Sequence, residues 1–193
     1  MDPLGDPDVQ LMLAVQRGED SAFRQLFEKH LAGVVGFAMQ FVGARARAEE
    51  LAQDVFLQIY RTRATYQPRA RFTTWLYRMV TNACVSEVRR ADYRGRIQSL
   101  DNPPPGGEDP APVIDAPTRS SEDAAVGRET IEALQHAVAD LPPQQRAALL
   151  LARVEGMSYE EVAGSLSCSV SAVKSLIHRA TVTLRERLHP LDE

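Results

Sequence analysis

Cysteine is scarce in this chain of 193 residues: there are two, Cys84 and Cys168, and four scattered histidines, His30, His136, His178 and His189. None falls at a metal-ligand spacing, so neither a zinc site nor a disulfide scaffold is indicated, and both cysteines read as small buried hydrophobes. Long apolar runs are missing as well. The longest, Leu31 to Met39, is nine residues flanked by His30 and Gln40, short of the ~18 a membrane span needs, and reads as a core helix. The first residues, Met1 to Asp8, are acidic rather than basic-then-apolar, so no export signal is expected and the cytoplasm is the expected location. There is no Gly-rich phosphate loop, no nucleophile motif and no paired metal ligands, and acidic residues fall at helix-capping or surface spacing. No catalytic residue and no cofactor is therefore expected. No stretch alternates like a strand, and no internal repeat is visible.

Charge is present but unevenly placed. The formal net charge is −4. Residues 24–94 hold twelve Arg/Lys against six Asp/Glu, whereas residues 1–23, 95–123 and 124–193 carry −4, −4 and −2. A basic block between acidic flanks suits a protein that touches nucleic acid in one part and another protein elsewhere.

Two helical blocks are separated by Asn102 to Asp123, NPPPGGEDPAPVIDAPTRSSED. Proline, glycine, serine and acids dominate, so this segment cannot bury enough surface to offset its ordering entropy and reads as an interdomain tether. The first block is helical by pattern. Val9 to Arg17 carries Leu11, Leu13 and Val15 and ends at Gly18. A second helix, capped by Asp20 or Ser21, carries Phe23, Leu26, Phe27 and Leu31 and continues towards Phe41. A third runs from about Ala46 to Arg63 with Leu51, Val55 and Ile59 on one face. After a loop from Tyr66 to Phe72, Thr73 or Thr74 caps a fourth helix from Trp75 to about Arg90.

The second block holds a helix-turn-helix. Ser158 and Glu161 have capping-box spacing, and Gly156 suits a left-handed stop just before. Val162, Ala163 and Leu166 form an apolar face, with Ala163 small where two helices cross. A turn follows at Ser167-Cys168-Ser169, then a second helix with Val173, Ile177, Ala180, Leu184 and Leu188. Its other face offers Ser171, Ala172, Lys174, Ser175, His178 and Arg179 to a major groove. By spacing alone, a helical hairpin with a solvated charged face remains the competing reading.

Three tracts, AEELAQDVFLQIYR, TYQPRARFTTWLYRMVTNACVSEVRR and LPPQQRAALLLARVEGMSYEEVAGSLSCSVSAVKSLIHRA, together resemble the bacterial extracytoplasmic-function sigma factors of the sigma-70 family, which keep only the second and fourth sigma regions. The resemblance covers nearly the whole chain outside residues 95–125. It implies an all-α fold of two small helical domains. Residues 1–95 would form sigma region 2, which docks on core polymerase and recognises and melts the −10 element. Residues 96–127 would form a flexible, acidic, Pro-rich linker, and 128–193 sigma region 4, which reads the −35 element.

Residue by residue, the resemblance places core docking, on the β′ clamp helices, at Glu50, Gln53 and Asp54, which share a helix face at i, i+3 and i+4. Single-stranded −10 DNA would meet Tyr66, Arg69, Arg71, Arg78, Asn82, Arg89 and Arg90, where rings can stack on bases, guanidinium groups track phosphates and the Asn82 amide pairs with a base edge. Trp75, Leu76 and Val80 are expected to build core instead. The −35 duplex would meet Ser171, Ala172, Lys174, Ser175, His178 and Arg179. The implied partners are RNA polymerase core (β′ clamp helices and β subunit), promoter DNA and an anti-sigma factor, through which the chain could be held at the inner membrane. Members commonly read G-T-V-K-S-R-L-H-R-A-R in the recognition helix. Here Leu176 and Thr181 replace two customary arginines, and Ser167 stands in the turn where glycine is usual. A stand-alone regulator would usually bring a dimerisation seam or ligand domain, and neither is visible.

Overall fold

The computed structural model describes residues 3–101, 131 and 133–188, and among them there is helix and turn but no strand. The tether from 102 to 123 lies outside the described residues. Helix α1 spans Pro7–Gln16, α2 Asp20–Val42, α3 Arg45–Thr62 and α4 Phe72–Asp101. The second block contains a short helix α5 (133–139), then α6 Pro143–Arg153, α7 Tyr159–Leu166 and α8 Val170–Leu188. No helix among the described residues is long and apolar enough to cross a membrane.

Local chemistry explains the boundaries. Asp6 caps α1 by accepting from the Asp8 N–H, with Pro7 filling the first helical position, where its missing N–H costs nothing. The other Asp6 oxygen accepts from the Phe72 N–H at 3.0 Å, so one carboxylate closes the starts of α1 and α4. That is why α4 begins at Phe72, ahead of the expected threonine cap; Thr74 is instead buried. Asp20 does not cap α2 either. Glu19 takes that position without a side-chain bond, and Asp20 accepts from the Tyr60 hydroxyl at 3.0 Å. Gly43, at φ 70°, ends α2 in the left-handed region that favours glycine.

Helices α2 and α3 pack through an aromatic cluster in which Phe27 meets Phe56 edge-on at 4.9 Å and Phe23 meets Tyr60 at 5.1 Å. Leu76, Val80 and Cys84, four apart, turn one side of α4 into this core. Burial pushes the Cys84 thiol up to about 12, which suits a packing role rather than a reactive one. In the second block, Ala147 and Leu151 of α6 and Val173, Ile177 and Ala180 of α8 are buried.

The two blocks share one continuous apolar core. Helix α7 lies across the head of α4, and the Ser165 hydroxyl donates to the Thr74 carbonyl at 3.1 Å. Arg146, 6% exposed, reaches from α6 to the Gln40 carbonyl at the end of α2 (2.7 Å), and also binds the carbonyls of Leu141 (3.1 Å) and Ala139. Burial lowers its pKa, while the three carbonyl dipoles and the Phe41 ring, 5.1 Å from the guanidinium carbon, stand in for water.

Candidate nucleic-acid interface

The helix-turn-helix is built as its local chemistry requires. The Ser158 hydroxyl accepts from the Glu161 N–H at 3.2 Å while Glu161 accepts from the Ser158 N–H at 2.8 Å, a complete capping box. Gly156 has φ 65° and Ser167 φ 54°. Ser167 thus holds a left-handed conformation that costs a non-glycine residue about 1 kcal/mol. Ser169 caps α8 by accepting from the Ala172 N–H at 3.2 Å. With Val173, Ile177 and Ala180 buried, Ser171, Lys174, Ser175, His178 and Arg179 are exposed and Ala172 is half-buried beside them. Leu176 is half-buried against the core, and Thr181 bonds back to the Ile177 carbonyl at 2.8 Å.

On α4, Arg71 lies just before the helix, and Arg78, Asn82 and Arg89 follow at intervals of seven, four and seven. All are exposed and form one stripe opposite Leu76, Val80 and Cys84. Arg69 and Arg90 are exposed beside it. Tyr93, 67% exposed, extends the stripe one turn beyond Arg89. It escaped the sequence reading, although its i+4 spacing from an arginine was a usable signal. Tyr66 sits differently. It is 5% exposed, edge-on to Trp75 at 4.9 Å, and burial followed by the nearby Asp6 charge pushes its hydroxyl up to about 12. It forms a wall rather than an open stacking platform. Trp75 is half-buried between Tyr66 and Phe72.

At the head of the stripe is a cavity of about 390 Å³ whose lining includes Tyr66, Arg69, Thr74, Trp75, Arg78 and, from α7, Gly164. The Tyr66 and Thr74 hydroxyls are buried without a hydrogen-bond partner, an uncommon state for buried polar atoms. To a planar group the lining offers aromatic and guanidinium surface.

A third surface lies on α3. Glu50, Gln53 and Asp54 are exposed on one face, and Leu57, 50% exposed, continues it one turn on. Leu57 was not singled out from sequence because it looks like an ordinary core residue. Glu50 pairs with Arg47 at 2.8 Å, and Arg47 with Glu87 of α4 at 2.9 Å. The Arg47 bond holds the Glu87 carboxyl below its usual range and raises the Arg47 guanidinium in turn. Arg94 and Arg90 approach the same carboxylate at 3.5 and 3.8 Å. Among the described residues, no group of three or more His, Cys, Asp or Glu is placed to hold a metal.

Two family models match the chain: "Sigma-70 region 2" over residues 26–94 and "Sigma-70, region 4" over 131–184. The chain is 33% identical over 190 residues to the RNA polymerase sigma-H factor of Pseudomonas aeruginosa, covering 96% of each chain. It is 36% identical over 165 residues to the ECF RNA polymerase sigma factor SigE of Mycolicibacterium smegmatis, covering 85% of this chain and 60% of that one. Its fold is similar to the sigma factor RpoE solved in complex with the anti-sigma factor NepR from Bartonella quintana, with TM-score 0.65, 26% identity, and 86% of this chain and 96% of that one covered.

Proposed function

The chain belongs to the extracytoplasmic-function sigma factors of the sigma-70 family, and from that premise we propose how its surfaces divide the work of promoter-specific initiation. The α3 face of Glu50, Gln53 and Asp54 docks on the polymerase β′ clamp helices. The stripe of Arg71, Arg78, Asn82 and Arg89, with Arg69 and Arg90 beside it, holds the melted −10 strand. The cavity walled by Tyr66 and Thr74 receives an extruded base. The exposed face of α8 reads the −35 duplex through Lys174 and Arg179, with Ser171, Ala172, Ser175 and His178 filling the contact, and the same unit meets the β subunit. Residues 1–95 and 128–193 act as the two DNA-reading domains, with 96–127 between them. The chain performs no bond chemistry itself; the polymerase supplies it.

The observation that carries this reading is the basic stripe running straight into a cavity lined by Tyr66, Trp75, Arg69 and Arg78. Flat rings and guanidinium groups are what a splayed single strand requires. An anti-sigma factor is the regulator this reading implies, since the similar solved chain was captured with one. The site of action is the cytoplasm, with the inner membrane as the holding place when that partner is anchored there. Run-off transcription with purified bacterial core, with and without the chain, tests the proposal. Promoter-dependent transcripts only in its presence are expected; core that initiates no differently with it would overturn the reading.

A further inference from the structure

Glu87 of α4 is the hub of a charged network that reaches two neighbouring surfaces. Arg47 of α3 grips its carboxylate with two nitrogens: Nε lies 3.2 Å from Oε1 and Nη2 2.9 Å from Oε2. Each carboxylate oxygen also faces one arginine of α4. Arg94 donates to Oε1 at 3.5 Å, and Arg90 lies 3.8 Å from Oε2. Glu87, Arg90 and Arg94 stand at i, i+3 and i+7, so one helix face carries all three. Depth separates the acid from the bases. The Glu87 side chain is 13% exposed, those of Arg90 and Arg94 71% and 66%. The remaining Arg47 nitrogen, Nη1, is committed to Glu50 at 2.8 Å.

We propose, resting on the reading above, that Glu87 is a positioning residue for strand capture: anchored by Arg47, it holds Arg90 and Arg94 together as a two-pronged phosphate clamp along the edge of the α4 stripe. Arg94 thereby joins the strand contacts. Two guanidinium groups four residues apart on a helix repel each other and splay in water. A carboxylate between and behind them offsets that repulsion and leaves their outer N–H groups free. The acid does not screen the clamp from a ligand, because it lies beneath the two cations rather than in front of them. Four residues of helix advance ~6 Å, on the scale of one step along an extended strand, so the two arginines meet neighbouring phosphates. A guanidinium already set in place loses less freedom for each charge-assisted bond it forms. The Arg47 bond also keeps the Glu87 carboxyl below its usual range, so the anchor stays ionised at neutral pH.

The sign of one substitution decides. Removing an acid beside a DNA-binding surface ordinarily strengthens binding, because the field there becomes more positive. Glu87→Gln should do the reverse: single-strand affinity should fall about three- to tenfold, within the range of coupling in one ion network. The probe is a fluorescein-labelled single strand of random sequence, titrated against the full chain at about 50 to 200 mM salt, with a thermal melt of each variant. Arg90→Ala and Arg94→Ala should each lower the salt slope by ~0.7, the share of one phosphate on a single strand. Glu87→Gln should lower it as well, although it adds positive charge. In the background of both arginine substitutions, Glu87→Gln should weaken binding no further. Glu28→Gln, at an exposed acid of α2, controls for net charge and should not weaken binding. Glu87→Asp keeps the charge, shortens the reach and carries the same comparisons if Glu87→Gln fails to fold. A Glu87→Gln chain that binds as well as wild type or better, or a loss that persists without the two arginines, would overturn the clamp. Arg78→Ala, on the stripe but away from Glu87, tests the reading on which the clamp rests: unchanged affinity there would remove the strand from α4 altogether.

Discussion

Tyr77 of α4 donates its hydroxyl to the Glu155 carboxylate in the turn before α7, a hydrogen bond that crosses from one block to the other. Gly33 of α2 makes the space: a Cβ there would lie 3.2 Å from the Tyr77 oxygen. Tyr77 is 4% exposed and also packs edge-on against Phe37 at 5.4 Å. The ring is therefore fixed by core while its polar tip serves the junction between blocks.

Tyr77→Phe should keep both helical units and lose part of their mutual attachment. A hydrogen bond to a charged group contributes roughly 1.5–3 kcal/mol, and the low end applies because Glu155 remains partly accessible to water. Burial, followed by the Glu155 bond, raises the Tyr77 hydroxyl well above its ordinary value of 10.0. A group whose folded pKa is raised gives stability that is complete below the unfolded value and lost as pH rises through the folded one. Wild-type stability should thus hold to about pH 10 and decline above it, with Tyr66, pushed up to about 12, acting in the same sense. Urea midpoints measured from pH 8 to 11.5 check this. Tyr77→Phe should show a shallower alkaline decline; an identical slope would assign the decline to other groups.

Arg146 makes the second crossing. Replacing it with Met keeps much of the volume but strands the carbonyls of Gln40, Leu141 and Ala139. The Leu141 bond is buried and the other two are part-buried, so only the Leu141 acceptor carries the full cost of about 1–3 kcal/mol when left unpaired, partly offset by no longer burying a cation. A net loss of about 2–4 kcal/mol is expected. Chemical denaturation followed by circular dichroism should show the midpoint moving well below wild type. A variant as stable as wild type would mean that the buried charge offsets its own bonds.

The α3 surface should behave oppositely. Glu50, Gln53 and Asp54 are exposed, so replacing all three by alanine should change stability by under ~0.5 kcal/mol each. The Arg47–Glu50 pair does not alter this, since exposed ion pairs contribute little. Core affinity should nevertheless fall at least tenfold, and adding Leu57→Ser should lower it further by removing an exposed apolar side chain from the proposed docking face. Pull-down with core polymerase beside a thermal melt separates the two effects. Unchanged core binding would leave this face merely solvated.

What could be read from sequence was what is local. The capping box, the turn at Ser167 and the period of Val173, Ile177 and Ala180 each need only a few neighbouring residues, and all are present. Contacts between distant segments were not legible. The start of α4 depends on Asp6, 66 residues away, and the Arg71–Glu161 pair joins residues 90 apart. Tyr66 looked like a stacking ring because aromatic and basic residues surround it in sequence. Its burial comes from Trp75, and from α1, where Gln16 donates to the Tyr66 and Ala64 carbonyls at 3.2 and 3.0 Å. The Pro- and Gly-rich stretch between the blocks suggested independent domains, and composition carries no trace of the core they share.

The two DNA readers should separate by mutation. Asn82 is exposed on the α4 stripe, and its amide can pair with a base edge that is available only after the duplex opens. Asn82→Ala should leave closed-complex affinity within about twofold and reduce the melted fraction about tenfold, the 1–3 kcal/mol scale of one base contact. Lys174 and Arg179 are exposed on α8, on the face proposed to meet intact duplex. Replacing either with alanine should weaken initial capture and lower the salt slope by about one for each phosphate that is no longer neutralised. The Arg179 side chain already bonds the Ser175 carbonyl at 3.3 Å. It is held against its own helix and must release that bond to reach a phosphate, so Lys174→Ala should show the larger effect. Permanganate footprinting of unstacked thymines reports opening, and filter binding at salt concentrations from about 50 to 200 mM reports capture. If Asn82→Ala promoters opened normally while capture fell, Asn82 would belong with the duplex contacts, and the division of labour between α4 and α8 would have to be redrawn.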